Sequence, residues 1–217
     1  PGGWVVALVP AHAPDDRPTE IHVVASFKDV LALRPSAIAV DMPIGLPDAG
    51  PRACDVEVRR RLGARRSSVF PAPIRPVLAA STYDQALAIV RARDGRGISK
   101  QSFHLLPKIR EIDDLITPGA QRTVVESHPE LCFAAMTGAP CRHPKRTAAG
   151  RAERRLALLA VFPDADAQWA ARHVGAKPDD VLDAYATAWT ARRLAAGTAE
   201  RVGLHRDARG LRMEIVF

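Results

Sequence analysis

The stretch Ala37 to Pro47, AIAVDMPIGLP, constrains this chain more than any other. Its near-continuous apolar start, Ile38 to Asp41, predicts a strand buried on both faces, as in the parallel sheets of α/β proteins. Pro43 forces Met42 to be extended, so the strand runs to its edge and ends on the carboxylate of Asp41. Open α/β sheets bind ligands at that end. A carboxylate there caps a turn through nearby backbone N–H groups, pairs with a cation, binds metal or reacts, and the stretch alone leaves all four open.

Strands come first in the chain and then alternate with helices. Trp4 to Val9 and Ile21 to Ala25 are short and valine-rich, with a polar, proline-bearing loop over Ala13 to Pro18 between them, which predicts an antiparallel pair. Phe27 to Leu33 is a short helical candidate, because Phe27, Val30 and Leu31 recur at spacings of three and four. Helical patterns follow at Ala53 to Leu62, Tyr83 to Arg93 and Ser99 to Ile116, the last interrupted by Pro107. The proline-rich VFPAPIRPV at 69–77 divides them and should be extended and irregular. A strand at Thr123 to Glu126, helices near 128–137, 150–161 and 178–196, and a strand at Leu211 to Phe217 complete the pattern. This predicts an α/β fold with a mixed sheet flanked by helices, as one domain over 1–217 with a helical insertion at about 50–118 after the Asp41 strand. At 217 residues, 47% of them hydrophobic, the chain can bury one sizeable core.

Three carboxylates stand out. Glu126 closes the strand TVVE; it is either a surface glutamate at a strand end or a ligand. Ser127 and Glu130 have capping-box spacing, which makes Glu130 structural. His128, just beyond, either orients substrate or metal-bound water or is a hydrogen-bonded structural histidine. In KPDDVLDAYATAWTARR, Pro178 suits the first helical turn, and Asp179 and Asp180 suit its partial positive charge. Asp183 has no such role. It lies one turn further in, among Val181, Leu182, Ala184, Tyr185, Ala186, Ala188 and Trp189. Burying it unpaired would cost several kcal/mol, so it needs a metal ion or a buried arginine. Two strand-end acids and one from a late helix can converge on a divalent cation, and hard oxygen ligands suit Mg²⁺ or Mn²⁺ better than zinc. Such ions activate water and stabilise the leaving oxygen in phosphodiester cleavage.

The segments GGWVVALV, AVDMPIGLP, RRSSVFPAP, ISKQSFHLLPKIREID, VVESHPELCFAAMTG and DDVLDAYATAWTA, in this order and over most of the chain, resemble the family of predicted nucleases with a ribonuclease H-like fold known as domain of unknown function 429. The resemblance implies a sheet of about five strands flanked by helices, with metal-binding carboxylates on the first strand, at a central strand end and on the last helix. Asp41, Glu126 and Asp183 fall on those family positions. Family members carry a further aspartate in a VDG-type stretch just before GGW. This sequence starts at Pro1, after that position, and its lack of an initiator methionine points to a missing amino terminus.

A formal charge of +7 favours polyanionic partners such as nucleic acid. Lys100, Gln101 and Lys108, together with Lys145, Arg146, Arg154 and Arg52, are candidates to hold phosphates; a solvated basic face is the alternative for each. Asp55 and Arg59 have the i, i+4 spacing of a surface pair. Cys54, Cys132 and Cys141 are too far apart for a disulfide framework or a structural zinc site, and CRH at 141–143 is too sparse for one. No apolar run approaches the roughly 18 residues of a membrane span, so no membrane partner and a cytoplasmic location are expected. A free edge on the valine-rich strands would allow a homodimer. The expected function is a metal-dependent nuclease or phosphodiesterase. A non-catalytic nucleic-acid or phosphorylated-ligand binding module is the alternative. A nucleotide-dependent phosphotransferase is less favoured, since no glycine-rich phosphate loop is present.

Overall fold

The computed structural model describes residues 3–11 and 17–217; the loop expected over Ala13 to Pro18 lies, up to residue 16, outside the described residues. Strand β1 (Trp4–Leu8) pairs antiparallel with β2 (Glu20–Val24), in register from Trp4 opposite Val24 to Leu8 opposite Glu20. Helix α1 (Phe27–Ala32) starts where Ser26 and Asp29 cap each other's backbone N–H groups. Strand β3 (Ile38–Val40) then leads to Asp41.

The segment after β3 is helical, as its periodicity predicts. It carries α2 (Ala53–Leu62), two short 3₁₀ turns at 63–68 and 75–79, α3 (Tyr83–Asp94) and α4 (Lys100–Leu115). Helix α4 runs through Pro107 rather than breaking there, because Leu106, Ile109 and Ile112 bury one continuous face. Residues Ile74, Val77, Ala86, Val90 and Leu106 give this helical segment a small core of its own. Strand β4 (Val124–Glu126), α5 (Pro129–Thr137), α6 (Ala148–Leu159), α7 (Ala165–Ala170), α8 (Pro178–Ala195), β5 (Arg201–Arg206) and β6 (Arg212–Val216) follow.

The architecture is mixed α/β, but its strands form three two-stranded ladders among the described residues: β1 with β2, β3 parallel to β4, and β5 antiparallel to β6. The five-stranded sheet that the resemblance implies is therefore not formed as one continuous hydrogen-bonded unit. Next to β4, the buried side chain of Gln121 takes the place of a ladder rung: it donates to the Arg212 carbonyl at 3.0 Å and accepts from the Arg212 N–H at 2.7 Å. Strand β5 and helix α7 are absent from the sequence reading. In β5, Val202 and Leu204 are the two apolar residues among RVGLHR, too few to mark a strand, and Val202 alone is buried while Leu204 is 97% exposed.

Helix α8 is buried almost all round and packs on β1, β3, α5, α6 and α7. Beside it the largest core joins α2, α5, α6, α8, β5 and β6. Between β1 and β3 a groove of about 760 Å³ is lined by residues of both strands, with α4 and α8 closing it. No described helix is long and apolar enough to cross a membrane. The three cysteines are free and buried.

Candidate functional site

Parallel pairing brings two strand ends side by side. Val40 lies opposite Glu126 and the Ser127 N–H donates to the Val40 carbonyl at 2.9 Å, so Asp41 follows directly beside the end of β4. Glu126 turns inward. Both its oxygens accept from the Arg52 guanidinium at 2.6 Å, and Oε2 accepts from the Ile44 N–H at 2.7 Å. Arg52, 2% exposed, also donates to Asp55 at 2.6 and 3.2 Å and to the carbonyls of Ile44 and Gly45. Asp55 in turn accepts from the Ala72 N–H, so it is a buried partner of Arg52 and forms no surface pair with Arg59. Burial pushes the Glu126 carboxyl up to about 7, against the pull of Arg52.

The rest of AIAVDMPIGLP is fixed by the same core. The Leu46 N–H donates to Asp207 at 3.0 Å, and Arg75, itself bonded to Asp207, donates its backbone N–H to the Pro47 carbonyl. Gly45 has φ +77°, and a Cβ there would lie 2.8 Å from the Arg212 carbonyl oxygen. Only glycine suits that turn and that approach.

Asp41 and Asp183 line one cleft of about 820 Å³, together with Glu126, His128 and Lys145. Asp183 does have its partner: Lys145, from the loop before α6, donates to it at 2.6 Å. Burial raises the Asp183 carboxyl to about 6, with Lys145 pulling down and Asp41 pushing up. Asp41 is raised to about 6 as well, again by burial, with Lys145 opposing and Glu130 adding. Asp41 is nonetheless exposed at the cleft, so it is the protein crowded around it, not loss of contact with solvent, that raises its carboxyl.

His128 also lines the cleft. Its Nε2 lies 3.3 Å from the Ser68 carbonyl, which can only accept, so Nε2 carries the hydrogen. Burial lowers its basicity and keeps the ring neutral, which leaves the buried, unpartnered Nδ1 as an acceptor. His128 is the N-cap of α5, with Pro129 in the first turn. The capping box expected of Ser127 and Glu130 is not formed. Ser127 instead bonds Thr190 at 3.1 Å and sits 3.2 Å from Cys132, and Glu130 is structural through Arg154. Arg154, 1% exposed, grips both Glu130 oxygens at 2.6 Å and the carbonyls of His143 and Gly150.

The remaining basic candidates separate. Gln101 and Arg146 line the cleft and are exposed. Lys108 faces the β1–β3 groove, where its ammonium stacks 4.2 Å from the Trp4 ring and donates to the Gly3 carbonyl. Lys100 is exposed at the start of α4 and lines neither cavity. Asp55, expected as a surface partner of Arg59, also lines the cleft, as do Arg65 and Phe70, to which the sequence assigned no role in the site. For Asp55 a signal existed in its i, i+3 spacing from Arg52.

Among the described residues no group of three or more His, Cys, Asp or Glu side chains is arranged to hold a metal ion. Glu126 and Asp55 are held by Arg52, Glu130 is held by Arg154, and Asp180 accepts from the Lys177 N–H at the start of α8, which leaves Asp41 and Asp183 as the hard-oxygen donors facing the cleft. With Lys145 they carry a net charge of −1 when ionised, and two carboxylates plus water and substrate oxygens are a donor set that suits Mg²⁺ or Mn²⁺.

The family model described as protein of unknown function (DUF429) matches residues 1–208. The chain belongs to that family. No curated protein and no solved structure matches it. The DUF429 match spans β1 through β5 and so includes Asp41, Glu126 and Asp183.

Proposed function

We propose that this DUF429 chain is a divalent-metal-dependent nuclease or phosphodiesterase of ribonuclease H-like type, acting on nucleic acid in the cleft between β3, α4, α5 and α8. One observation carries the reading: Asp41 and Asp183, from a strand end and a late helix, line the same cleft, each with its carboxyl raised to about 6. Titratable groups perturbed by burial and by a like-charged neighbour concentrate at reactive sites.

Asp41 and Asp183 would hold the metal, and a bound Mg²⁺ or Mn²⁺ would supply charge neutralisation and a more acidic water. Lys145 offsets one carboxylate and presents its ammonium to an incoming phosphate oxygen. His128 lines the cleft, but its Nδ1 is buried, so the ring serves to shape the wall rather than to hold water. Glu126 acts as a positioning residue: with Arg52 it fixes the β4 end and, through the Ile44 N–H, the segment that follows Asp41. Because both aspartates bind protons near pH 6, metal binding and activity should rise as pH passes upward through 6.

The test is cleavage of single-stranded DNA, RNA, duplex and hybrid substrates in Mg²⁺ or Mn²⁺, with chelator and Asp183→Asn each expected to abolish it. Absence of cleavage on every substrate, joined to absence of Mn²⁺ binding by calorimetry, would sink the reading.

The second reading is a non-catalytic module that binds nucleic acid or a phosphorylated ligand. The 2.6 Å Lys145–Asp183 pair favours it, since the lysine meets part of the charge that a metal would otherwise meet. Salt-sensitive binding that survives replacement of Asp41, Glu126 and Asp183 together would select this module.

A further inference from the structure

We propose that the cleft takes single-stranded nucleic acid, with a base stacked on Phe70 and the adjoining backbone phosphates held by Arg65 and Arg146. This rests on the nucleic-acid substrate proposed above and names its strandedness. Phe70 is 46% exposed and lines the cleft. A single exposed phenylalanine is ordinary, but this one is fixed in place. On one side the carbonyl of the buried Val69 accepts from Arg59 at 2.7 Å. On the other the Ala72 N–H donates to the buried Asp55 at 3.0 Å, and Pro71 and Pro73 stiffen the chain between and beyond. The ring is therefore displayed from a segment clamped at both ends, which keeps the entropic cost of using it low.

The basic side chains of the cleft divide into paired and unpaired groups. Arg52 is held by Glu126 and Asp55, Arg154 by Glu130, and Lys145 by Asp183. Among the described residues, Arg65 and Arg146 have no ion-pair partner, and the buried Nε of Arg65 has no acceptor. Besides Asp41 and Asp183, the cleft thus carries two guanidinium groups outside any ion pair and an exposed ring, with Gln101 and Ser67 also in its lining. A basic track with an aromatic platform is how proteins hold unpaired strands, because each base offers a π face while the phosphates follow the charge. In a duplex those faces are already covered, and reaching Phe70 would require flipping a base out of the stack. The volume of about 820 Å³ suits a nucleotide unit better than a double helix.

The experiment measures binding of a fluorescein-labelled oligothymidylate, its RNA counterpart and a matched duplex by anisotropy, in chelator so that no cleavage intervenes. Phe70→Ala should weaken single-strand binding about tenfold, the scale of one lost stacking contact, with Phe70→Trp restoring it and melting temperature unchanged in both. Arg65→Gln and Arg146→Gln should each reduce the salt dependence of binding. Equal single-strand binding by wild type and Phe70→Ala overturns the proposal, as does rescue by Phe70→Leu as full as that by Phe70→Trp, or absence of single-strand binding by the wild type. Cleavage lost in Asp183→Asn while Phe70→Ala binds normally removes the stacking site and leaves the nuclease standing. Phe70-dependent binding without any metal-dependent cleavage does the reverse.

Discussion

Replacing Arg52 by Met should be among the most damaging single changes in this protein, through a buried charge left without its partner. Arg52 is 2% exposed and donates to both oxygens of Glu126, to both of Asp55 and to two carbonyls. Removing one member of such a buried pair costs about 3–5 kcal/mol, well above the cost of a truncated surface pair. For a chain of this size that is a fall in melting temperature of roughly 6–20 °C. The loss should depend on pH. Glu126 is raised by burial from 4.5 to about 7 in the fold, so the stability linked to its proton is fully present below 4.5 and is lost as pH rises through 7. Without Arg52 the folded value moves higher still, so the variant keeps losing stability above pH 7 where the wild type has levelled. Thermal denaturation at pH 5 and pH 8 should therefore show the two proteins closer at pH 5 and furthest apart at pH 8. The double change Arg52→Met with Glu126→Gln should recover much of the loss by removing the stranded charge. A variant melting within about 2 °C of wild type at pH 8, or displaced equally at both pH values, would refute the assignment of Arg52 as the counter-charge of Glu126.

Asp183→Asn should abolish cleavage yet stabilise the fold at pH 8. The carboxyl is raised from 3.8 to about 6, so the wild type loses stability as pH climbs through 6 and the asparagine variant does not. With a fifth of the side chain exposed, the gain is about 1–2 kcal/mol, and parallel melting curves for the two proteins across pH 4–8 would count against it. Gly150→Ala should cost about 1–3 kcal/mol, because a Cβ there would lie 2.0 Å from the Pro144 carbonyl oxygen. Relief requires moving the turn that carries Lys145, so loss of activity should accompany the fall in melting temperature; full activity in a destabilised Gly150→Ala protein would separate that turn from the site.

Periodicity located most elements because amphipathic helices and continuous apolar strands carry their burial in their own sequence. The reading of Ala53 to Leu62 agrees with α2, and that of residues 178–196 with α8 to within a residue. Strand β5 left no such mark, since its pairing with β6 and the approach of Gly203 to the Met213 carbonyl create it. Asp183 was legible as a charge in need of a partner, but that the partner is Lys145 depends on a loop 38 residues away in the chain. Local spacing misled where tertiary partners competed for the same groups: Arg52 took Asp55 from Arg59, and Arg154 took Glu130 from Ser127.

By itself the sequence determined that AIAVD is a strand ending on a carboxylate, that Asp183 sits on an apolar helix, and that the chain falls into helices and short strands of an α/β protein; the burial expected on both faces of that strand is reached at Val40 alone. These follow from local apolar spacing and proline chemistry. Only the tertiary structure decided which acids face open space. The parallel register of β3 and β4 sets Asp41 and Glu126 at neighbouring strand ends, and Arg52 then draws Glu126 into the core while Asp41 remains at the cleft with Asp183. A guanidinium removed from water takes the carboxylates within its reach, and that competition is settled in space rather than along the chain.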